Sequence, residues 1–285
     1  MQNSIDRKRV NASCAMRGRI FLKILFIGDV FGEAGRATLK FKMDELKERY
    51  KPDFCIANGE NAAGGRGITY NTANEIFDSG IEVITMGNHT WARKEILNII
   101  DSGIRIIRPA NYPKGVPGKG KIIMEKNGVR LAVVNLLGRV YMDNNVDCPF
   151  QTIDRELSCL KGQADIIFVD FHAEATSEKI AMLYYLDGRV TCVAGTHTHV
   201  QTADEKITDK GTAYITDVGM TGPADGVIGV EKEHILRKFT LGLPAQHETA
   251  KGRAQLNAIL ITIDDETKKA TNIKRINEYV KDLKG

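Results

Sequence analysis

Short apolar runs that end in glycine and polar residues recur in the first third of the chain, and they limit its fold most strongly. They are KILFIGDV (23–30), DFCIANGEN (53–61) and IEVITMGNHT (81–90). Segments with helical character separate them. One has Leu39, Met43, Leu46 and Tyr50 on one face, and the stretches 71–80 and 93–103 each end at a glycine. This alternation of strand and helix favours an α/β fold with a largely parallel sheet covered by helices.

The rest of the chain adds a different kind of strand pair. Residues 120–138 carry two strand-like arms around Asn127-Gly128, which indicates a β-hairpin. Further segments follow in order: a helix at 153–161, a strand at 165–174, a helix near 177–187, strands at 190–195 and 211–220, and a terminal hairpin at 255–276. Without an internal repeat or a break in composition, residues 23–285 are predicted to form a single domain. Residues 1–22 are predicted to be a disordered arm that need not belong to the mature protein.

The excess of positive charge is concentrated at the N-terminal end of the chain. Residues 1–23 hold six Lys or Arg and one acidic residue, whereas the remainder has 34 basic and 35 acidic residues. The body is therefore close to neutral, which argues against a stable complex with nucleic acid. The sequence has no stretch of about 18 apolar residues, so it predicts no membrane span. Five cysteines without a C-x-x-C pair indicate reduced thiols and a cytoplasmic protein.

Side chains that bind metals follow five of the apolar runs. They are Asp29, Glu60, Asn61, Asn88, His89, His172, His197 and His199. Because ligands collect at the carboxyl ends of strands in open α/β sheets, these residues are expected to meet at one rim. Mixed oxygen and imidazole donors suit Mn, Fe or Zn better than Ca. The set contains no thiolate, which argues against a structural zinc site. A pair of ions about 3.5–4 Å apart would hold a phosphate and activate a hydroxide.

Each of these residues also has a simpler interpretation when it is taken alone. Asp29 could cap a helix, Glu60-Asn61 could form a turn, Asn88-His89 could cap the next helix, and His172 could be a core residue. The His197-Thr-His199 pair is the strongest signal, because residues i and i+2 of an extended segment point the same way. A metallo-β-lactamase site would need H-x-H-x-D-H, and Gln201 does not match that pattern.

Four other residues carry weaker predictions. His234 is interpreted as a helix-surface or packing residue, and the role of His247 is left open. Trp91 could stack on a base, although core packing is the simpler interpretation, and Arg66 is a candidate phosphate contact.

These motifs together resemble those of the calcineurin-like metallophosphoesterases. GDV, GEN, GNHT, a lone strand-end histidine and GTHTH occur in the order of that family's GD-x-H, GD, GNH, H and GH-x-H blocks. Phe31 stands where the family has the histidine of GD-x-H, and Glu60-Asn61 replaces Gly-Asp. Those departures, with ANGENAAGGRGIT and RPANYP, resemble the YmdB-like branch. The resemblance runs from Lys23 to the end of the chain.

The resemblance implies a four-layer α/β/β/α sandwich with mixed sheets and two divalent metal ions, most readily Fe or Mn, with Zn an alternative. One ion would take Asp29, Glu60, Asn61 and His199, and the other Glu60, Asn88, His172 and His197. His89 would protonate the leaving group while a metal hydroxide attacks phosphorus. The implied activity is phosphodiester hydrolysis of small cyclic nucleotides, most readily 2′,3′-cyclic nucleotides, by a cytoplasmic homo-oligomer.

Two alternatives remain open from the sequence. The same centre could serve an RNA-acting phosphodiesterase or nuclease, although the composition offers no basic groove outside the arm. The missing GD-x-H histidine also leaves room for a metal-containing regulatory protein that binds a nucleotide with little catalysis.

Overall fold

The structure is a computed structural model that describes residues 21–244 and 248–280. In these ranges the strands are β1 (Phe21–Ile27), β2 (Asp29–Val30), β3 (Phe54–Asn58), β4 (Val83–Thr85), β5 (Ile106–Ile107), β6 (Lys121–Lys126), β7 (Val129–Leu137), β8 (Ile166–His172), β9 (Cys192–Thr196), β10 (Lys206–Ile207), β11 (Ala213–Ile215), β12 (Met220–Pro223), β13 (Ala254–Asp264) and β14 (Ala270–Val280). The helices are α1 (Gly32–Tyr50), α2 (Tyr70–Asp78), α3 (Ile96–Ile99), α4 (Pro149–Leu160), α5 (Thr176–Leu186) and α6 (Lys232–Leu241).

The strands form two mixed sheets. The first has the order β2-β12-β13-β1-β3-β4-β5, with β14 also paired to β13. Its β1, β3, β4 and β5 are parallel, while β13 runs antiparallel to β1. The second has the order β10-β11-β9-β8-β7-β6, with parallel β7, β8, β9 and β11 between two antiparallel edge strands. The structure confirms the mixed sheets that the resemblance implied. The parallel strands predicted from the alternation of strand and helix form the centre of each sheet, and antiparallel strands extend both.

Three apolar cores separate four layers. The core between the sheets contains Phe26 and Phe54 of the first sheet and Phe168 of the second. A second core lies between the first sheet and α1, where Leu39, Met43 and Leu46 are buried as their spacing predicts. A third lies between the second sheet and helices α4 and α5. The order helix, sheet, sheet, helix confirms the predicted four-layer sandwich.

Several local predictions change in the structure. The helix predicted at 93–103 is regular only over Ile96–Ile99, although Ile96, Ile99 and Ile100 are buried at helical spacing. The segment 211–220 was predicted to form one strand, but it contributes to two. Strand β11 joins the second sheet, whereas Met220 begins β12 of the first. The hairpins at 120–138 and 255–276 are confirmed by β6–β7 and β13–β14.

Other features concern the ends and the surface. Strand β1 begins at Phe21, two residues before the predicted start of the domain. The predicted arm up to residue 20 and His247 lie outside the described residues. His234 lies partly buried on α6, in keeping with a packing residue. No helix in the described ranges has the length and hydrophobicity to cross a membrane.

Candidate metal centre

The predicted ligands come from both sheets and lie at the carboxyl ends of five strands. Asp29 is in β2, directly after β1, and Glu60 with Asn61 follows β3. Asn88 and His89 follow β4, while His172 ends β8 and the His197-Thr-His199 segment follows β9. A cavity of about 490 Å³ opens there and is lined by Glu60, Asn61, His89, His197 and His199, among others. The rim expected for one sheet is in fact shared by two.

A layer of buried polar side chains separates this cavity from the apolar core between the sheets. Strand alternation places these residues on the same faces as the core residues that precede them. We call the set the polar layer; it consists of Asn58, Thr85, Asn135, Asp170 and Thr196, all fully buried. Asp170 of the second sheet accepts hydrogen bonds from Asn58 and Thr85 of the first. The polar layer therefore joins the two sheets directly beneath the site.

His172 is the centre of the tightest cluster. Its Nε2 lies 3.1 Å from Oε1 of Glu60, 2.9 Å from Oδ1 of Asn88 and 3.0 Å from Nδ1 of His197. Among the described residues, Glu60, His172 and His197 form the one group of three His, Cys, Asp or Glu side chains whose ligand atoms all lie within 4.8 Å of one another. These are the residues, with Asn88, that the family resemblance assigned to one ion.

The opposite edge of the His172 ring is held by the polar layer. Its Nδ1 lies 2.9 Å from Oγ1 of Thr196, whose hydroxyl lies 2.7 Å from the carboxylate of Asp170. Since the Thr196 hydroxyl donates to Asp170, its oxygen accepts from Nδ1–H of His172. This arrangement directs Nε2 toward the cluster, and it is the way outer hydrogen bonds usually orient a metal-binding histidine.

The remaining predicted ligands lie around His199. Its Nε2 is 3.3 Å from Oδ1 of Asn61, and its Nδ1 is 3.1 Å from the carbonyl oxygen of Ile228. Asp29 accepts a hydrogen bond from the backbone N–H of His197 through Oδ2, but its buried Oδ1 has no hydrogen-bond partner among the described residues. A buried carboxylate oxygen without a hydrogen bond is costly, and a cation would satisfy it. This donor set therefore fits a second ion.

Burial and the charges of neighbouring groups together set the pKa values of the cluster. Burial raises the pKa of Asp29 to about 7, although His172 and His199 act against it. Burial opposes charge on Glu60 and His172 as well, but their mutual attraction outweighs it, lowering the pKa of Glu60 to about 2 and raising that of His172 to about 9. His197 differs: burial and the charge of His172 lower its pKa to about 3. A divalent ion at this point would take the place of the proton on His172.

Gly87 explains why the cluster can close so tightly. A Cβ atom at this position would lie 2.2 Å from Oε2 of Glu60 and 2.4 Å from Cδ2 of His172. Any side chain would therefore displace two predicted ligands. The glycine of the GNHT motif is required by this close approach rather than by a turn.

The His197-Thr-His199 segment differs from its prediction. Strand β9 ends at Thr196, and His197 and His199 have φ values of +105° and +66°, so the segment is not extended. The two imidazoles nevertheless reach the same cavity and contact different partners, His172 and Asn61. The expectation of extended backbone is wrong, because the chain turns sharply to place the histidines on the two halves of the cluster.

His89 and Arg66 line the cavity beside the cluster. The backbone N–H of His89 donates to Oε2 of Glu60 over 3.1 Å, which fixes the residue next to the predicted ligands. Burial lowers the pKa of the His89 imidazole, Glu60 opposes this change, and the nearby Arg66 reinforces it. Trp91 instead packs against the helix-side core of the first sheet and the ring of Tyr112, in accord with core packing.

Three functional contacts escape the sequence patterns. Glu174 places Oε2 3.0 Å from Nε2 of His197, so a carboxylate supports this histidine on the side away from His172. Asp217 accepts from the backbone N–H of Thr198 and pairs with Lys179, and both side chains are buried. For Glu174 the sequence offers a signal, since it is an acidic residue two positions from the predicted ligand His172. Lys179 and Asp217 carry no comparable signal.

The chain is similar to known proteins over most of its length. A family model described as "YmdB-like protein" matches residues 25–276. A protein of Bacillus subtilis (strain 168) named 2′,3′-cyclic-nucleotide 2′-phosphodiesterase is 51% identical over 255 residues, which cover 90% of this chain and 96% of that protein.

Two solved structures are also similar. The crystal structure of a phosphatase from Mycoplasma pneumoniae has a TM-score of 0.88 and 38% identity, covering 93% of this chain and 96% of that one. The crystal structure of a protein from Thermus thermophilus has a TM-score of 0.85 and 40% identity, covering 90% and 99%. The names of the relatives agree with the predicted class of enzyme, a hydrolase of phosphoric esters. The chain therefore belongs to the family of YmdB-like proteins, as its motifs predicted.

Proposed function

We propose that the protein is a dinuclear metal-dependent phosphodiesterase that hydrolyses 2′,3′-cyclic nucleotides, with His89 as the general acid. The observation that carries the proposal is the convergence of Glu60, Asn88, His172 and His197 within hydrogen-bonding distances at the floor of one cavity. The name of the Bacillus subtilis relative supports the substrate class and the 2′ bond as the bond that is cleaved.

The two halves of the cluster suggest how two ions would be held. One would take Glu60, Asn88, His172 and His197, and the other Asp29, Glu60, Asn61 and His199. Two observations support this division: Oδ1 of Asp29 has no hydrogen-bond partner among the described residues, and outer hydrogen bonds hold His172 and His199. Mixed oxygen and nitrogen donors without thiolate favour Fe or Mn, with Zn an alternative. When bound, such ions would neutralise the phosphate charge and activate the attacking water.

His89 is proposed to donate a proton to the leaving ribose oxygen. Its backbone is fixed to Glu60, and its ring lines the cavity rather than joining the cluster. A histidine in this position can reach the leaving group without competing as a ligand. The Arg66 side chain, exposed at the same cavity, would attract the anionic substrate and stabilise its charge.

The test measures hydrolysis of 2′,3′-cyclic AMP by the purified protein with added Mn²⁺, together with the His89→Ala variant and its metal content. We expect nucleoside 3′-phosphate from the wild-type protein. In His89→Ala we expect turnover to fall at least 100-fold, in the range of a lost general acid, while metal content is unchanged. Near wild-type turnover in the variant would reject the acid role.

The same assay separates the alternatives. A wild-type protein that binds both ions but forms no product would reject the cyclic-nucleotide proposal, and hydrolysis of RNA in its place would favour a nuclease. Stoichiometric nucleotide binding without product from either substrate would favour a regulatory protein. The cytoplasmic location, the homo-oligomeric state, the single domain at 23–285 and the arm at 1–22 stay predictions.

A further inference from the structure

The cavity above the cluster has a second, chemically different part. We call it the apolar wall; its residues are Phe31, Val227, Ile228, Val230, Ile235 and Phe239, all of which line the cavity. We propose that the apolar wall binds the nucleobase of the substrate and that, for lack of hydrogen-bonding side chains, it accepts all four bases. This inference rests on the proposed function, because it assumes a nucleotide whose phosphate lies at the metal cluster.

Three side chains of the wall are buried and two are exposed. Phe31, Val230 and Ile235 are buried and pack together with Met220 in a small apolar cluster. Ile228 and Phe239, in contrast, are 50% and 77% exposed. Exposed apolar side chains that line a concave site together with convergent polar groups are typical of ligand recognition. The buried part of the wall is therefore formed before a ligand binds.

A tight turn connects the wall to the predicted ligands. The backbone N–H groups of Val227 and Val230 each donate to the other residue's carbonyl oxygen, which leaves Ile228 and Gly229 at the tip. Ile228 has a φ of +45°, a conformation that β-branched residues rarely adopt. Its carbonyl oxygen accepts from Nδ1 of His199. Strain of this kind is concentrated at functional sites, and here it places a side chain in the cavity and orients a histidine at once.

A nucleobase is the ligand part that fits this surface. The Phe31 ring lies against the His199 ring with centroids 5.6 Å apart, so the apolar wall adjoins the position proposed for the phosphate. Arg66 and Lys238 line the same cavity and suit an anionic ligand, whereas the wall suits the flat, uncharged base attached to it. A cavity of about 490 Å³ is in the range of small-molecule sites.

A base held by the apolar wall alone would meet no hydrogen-bonding side chain, which predicts broad base specificity. Sites that hydrogen-bond a substrate reject analogues by several orders of magnitude, whereas apolar sites discriminate only weakly. We expect kcat/KM for the four 2′,3′-cyclic nucleotides to lie within about tenfold of one another. Purines should be the better substrates, because their larger ring system buries more area against the wall.

The experiment compares a substrate that has a base with one that lacks it. The full-length protein with Mn²⁺ is assayed on 2′,3′-cyclic AMP and on methyl ribofuranoside 2,3-cyclic phosphate, together with Phe239→Ala. Leu236→Ala is the matched control, since Leu236 is 57% exposed on the same helix but does not line the cavity. Base stacking on an aromatic side chain is worth about 5- to 150-fold in affinity.

In Phe239→Ala we therefore expect the KM for cyclic AMP to rise at least fivefold, with kcat within about threefold and the KM of the baseless substrate unchanged. Leu236→Ala should resemble the wild type on both. Equal effects of Phe239→Ala on the two substrates, or none on either, would overturn the proposal, as would preferences among the four bases above about tenfold.

A binding measurement separates this proposal from the proposed function. Adenosine has no phosphate to hydrolyse, so calorimetric titration with it tests the wall alone. If the wild-type protein hydrolyses neither substrate, the proposed function fails; adenosine binding that weakens in Phe239→Ala but not in Leu236→Ala would still support the wall. If adenosine binds all three proteins equally or does not bind the wild type, the wall is rejected even where cyclic AMP is hydrolysed.

Discussion

The buried ion pair between Lys179 and Asp217 gives the sharpest test of how the site is supported. Nζ of Lys179 lies 2.7 Å from Oδ2 of Asp217, and the two side chains are 1% and 0% exposed. The same carboxylate accepts from the backbone N–H groups of Thr198 and Gly219 over 3.0 and 2.8 Å. Lys179→Met would keep most of the aliphatic stem but leave a buried carboxylate without its counter-ion.

The expected cost follows from that burial. Removing one partner of a buried pair typically costs about 3–5 kcal/mol. The two backbone donors still stabilise the Asp217 carboxylate, so we expect the lower end, about 3 kcal/mol. In a protein of this size each kcal/mol lowers the unfolding midpoint by about 2–4 °C, which gives a fall of about 6–12 °C.

Urea denaturation would measure the loss of unfolding free energy in four proteins: the wild type, Lys179→Met, Asp217→Asn and the double variant. Because the double variant removes both charges, we expect a coupling energy of at least about 1.5 kcal/mol between the two sites. Lys232→Met is the exposed control, since Lys232 is 61% exposed and pairs with Glu233 only at 3.9 Å, and we expect it to lose less than about 0.5 kcal/mol. A Lys179→Met variant within about 1 kcal/mol of the wild type, or a coupling energy near zero, would refute the reasoning.

The other predictions concern the metal cluster and acid stability. Gly87→Ala should abolish Mn²⁺ binding measured by calorimetry while the circular dichroism of the fold is kept, because its Cβ would displace Glu60 and His172; normal binding would contradict the close approach. Glu174→Ala should weaken Mn²⁺ affinity about 10- to 100-fold through the loss of its contact with His197, and an unchanged affinity would show that the carboxylate does not position this ring. Chelation should lower the unfolding midpoint, since a ligand at 100 times its Kd adds about 2.7 kcal/mol to stability; an unchanged midpoint after confirmed metal loss would argue against tight sites. Burial opposes the charge of Asp204, but hydrogen bonds from Thr202 and Thr216 lower its pKa below the unfolded value of about 3.9, so its contribution is present above that pH and lost as the pH falls through the lower folded value. The stability deficit of Asp204→Asn should therefore be larger at pH 6 than at pH 3, and a deficit independent of pH would contradict this assignment.

Residues with a strong local pattern were predictable from the sequence. The spacing of Leu39, Met43 and Leu46 indicated α1, and the apolar runs indicated the parallel strands of both sheets. The positions of polar residues directly after those runs predicted which side chains would meet at or beside the cavity. These inferences succeed because period and burial act over a few residues, within one element.

Features that depend on distant segments were not predictable in the same way. Strand β13, more than 200 positions from β1 in sequence, pairs with it and converts a parallel sheet into a mixed one. The helix expected at 93–103 is shortened, and the Arg93 side chain just before it donates to the carbonyl oxygens of Ala63 and Arg66. His197 and His199 have positive φ values directly after β9. The sequence gives no signal for this turn other than Gly195.

The division of the proposed metal ligands between two sheets has a consequence for the order of folding. Glu60 and Asn88 follow strands of the first sheet, whereas His172 ends one strand of the second and His197 follows another. Hydrogen bonds of the polar layer set their relative position. Neither half offers a complete set of donors, so a high-affinity site cannot exist until the sheets have docked. Metal capture is therefore expected as a late step of folding, after the inter-sheet core has formed, and bound metal would report completed docking of the two sheets.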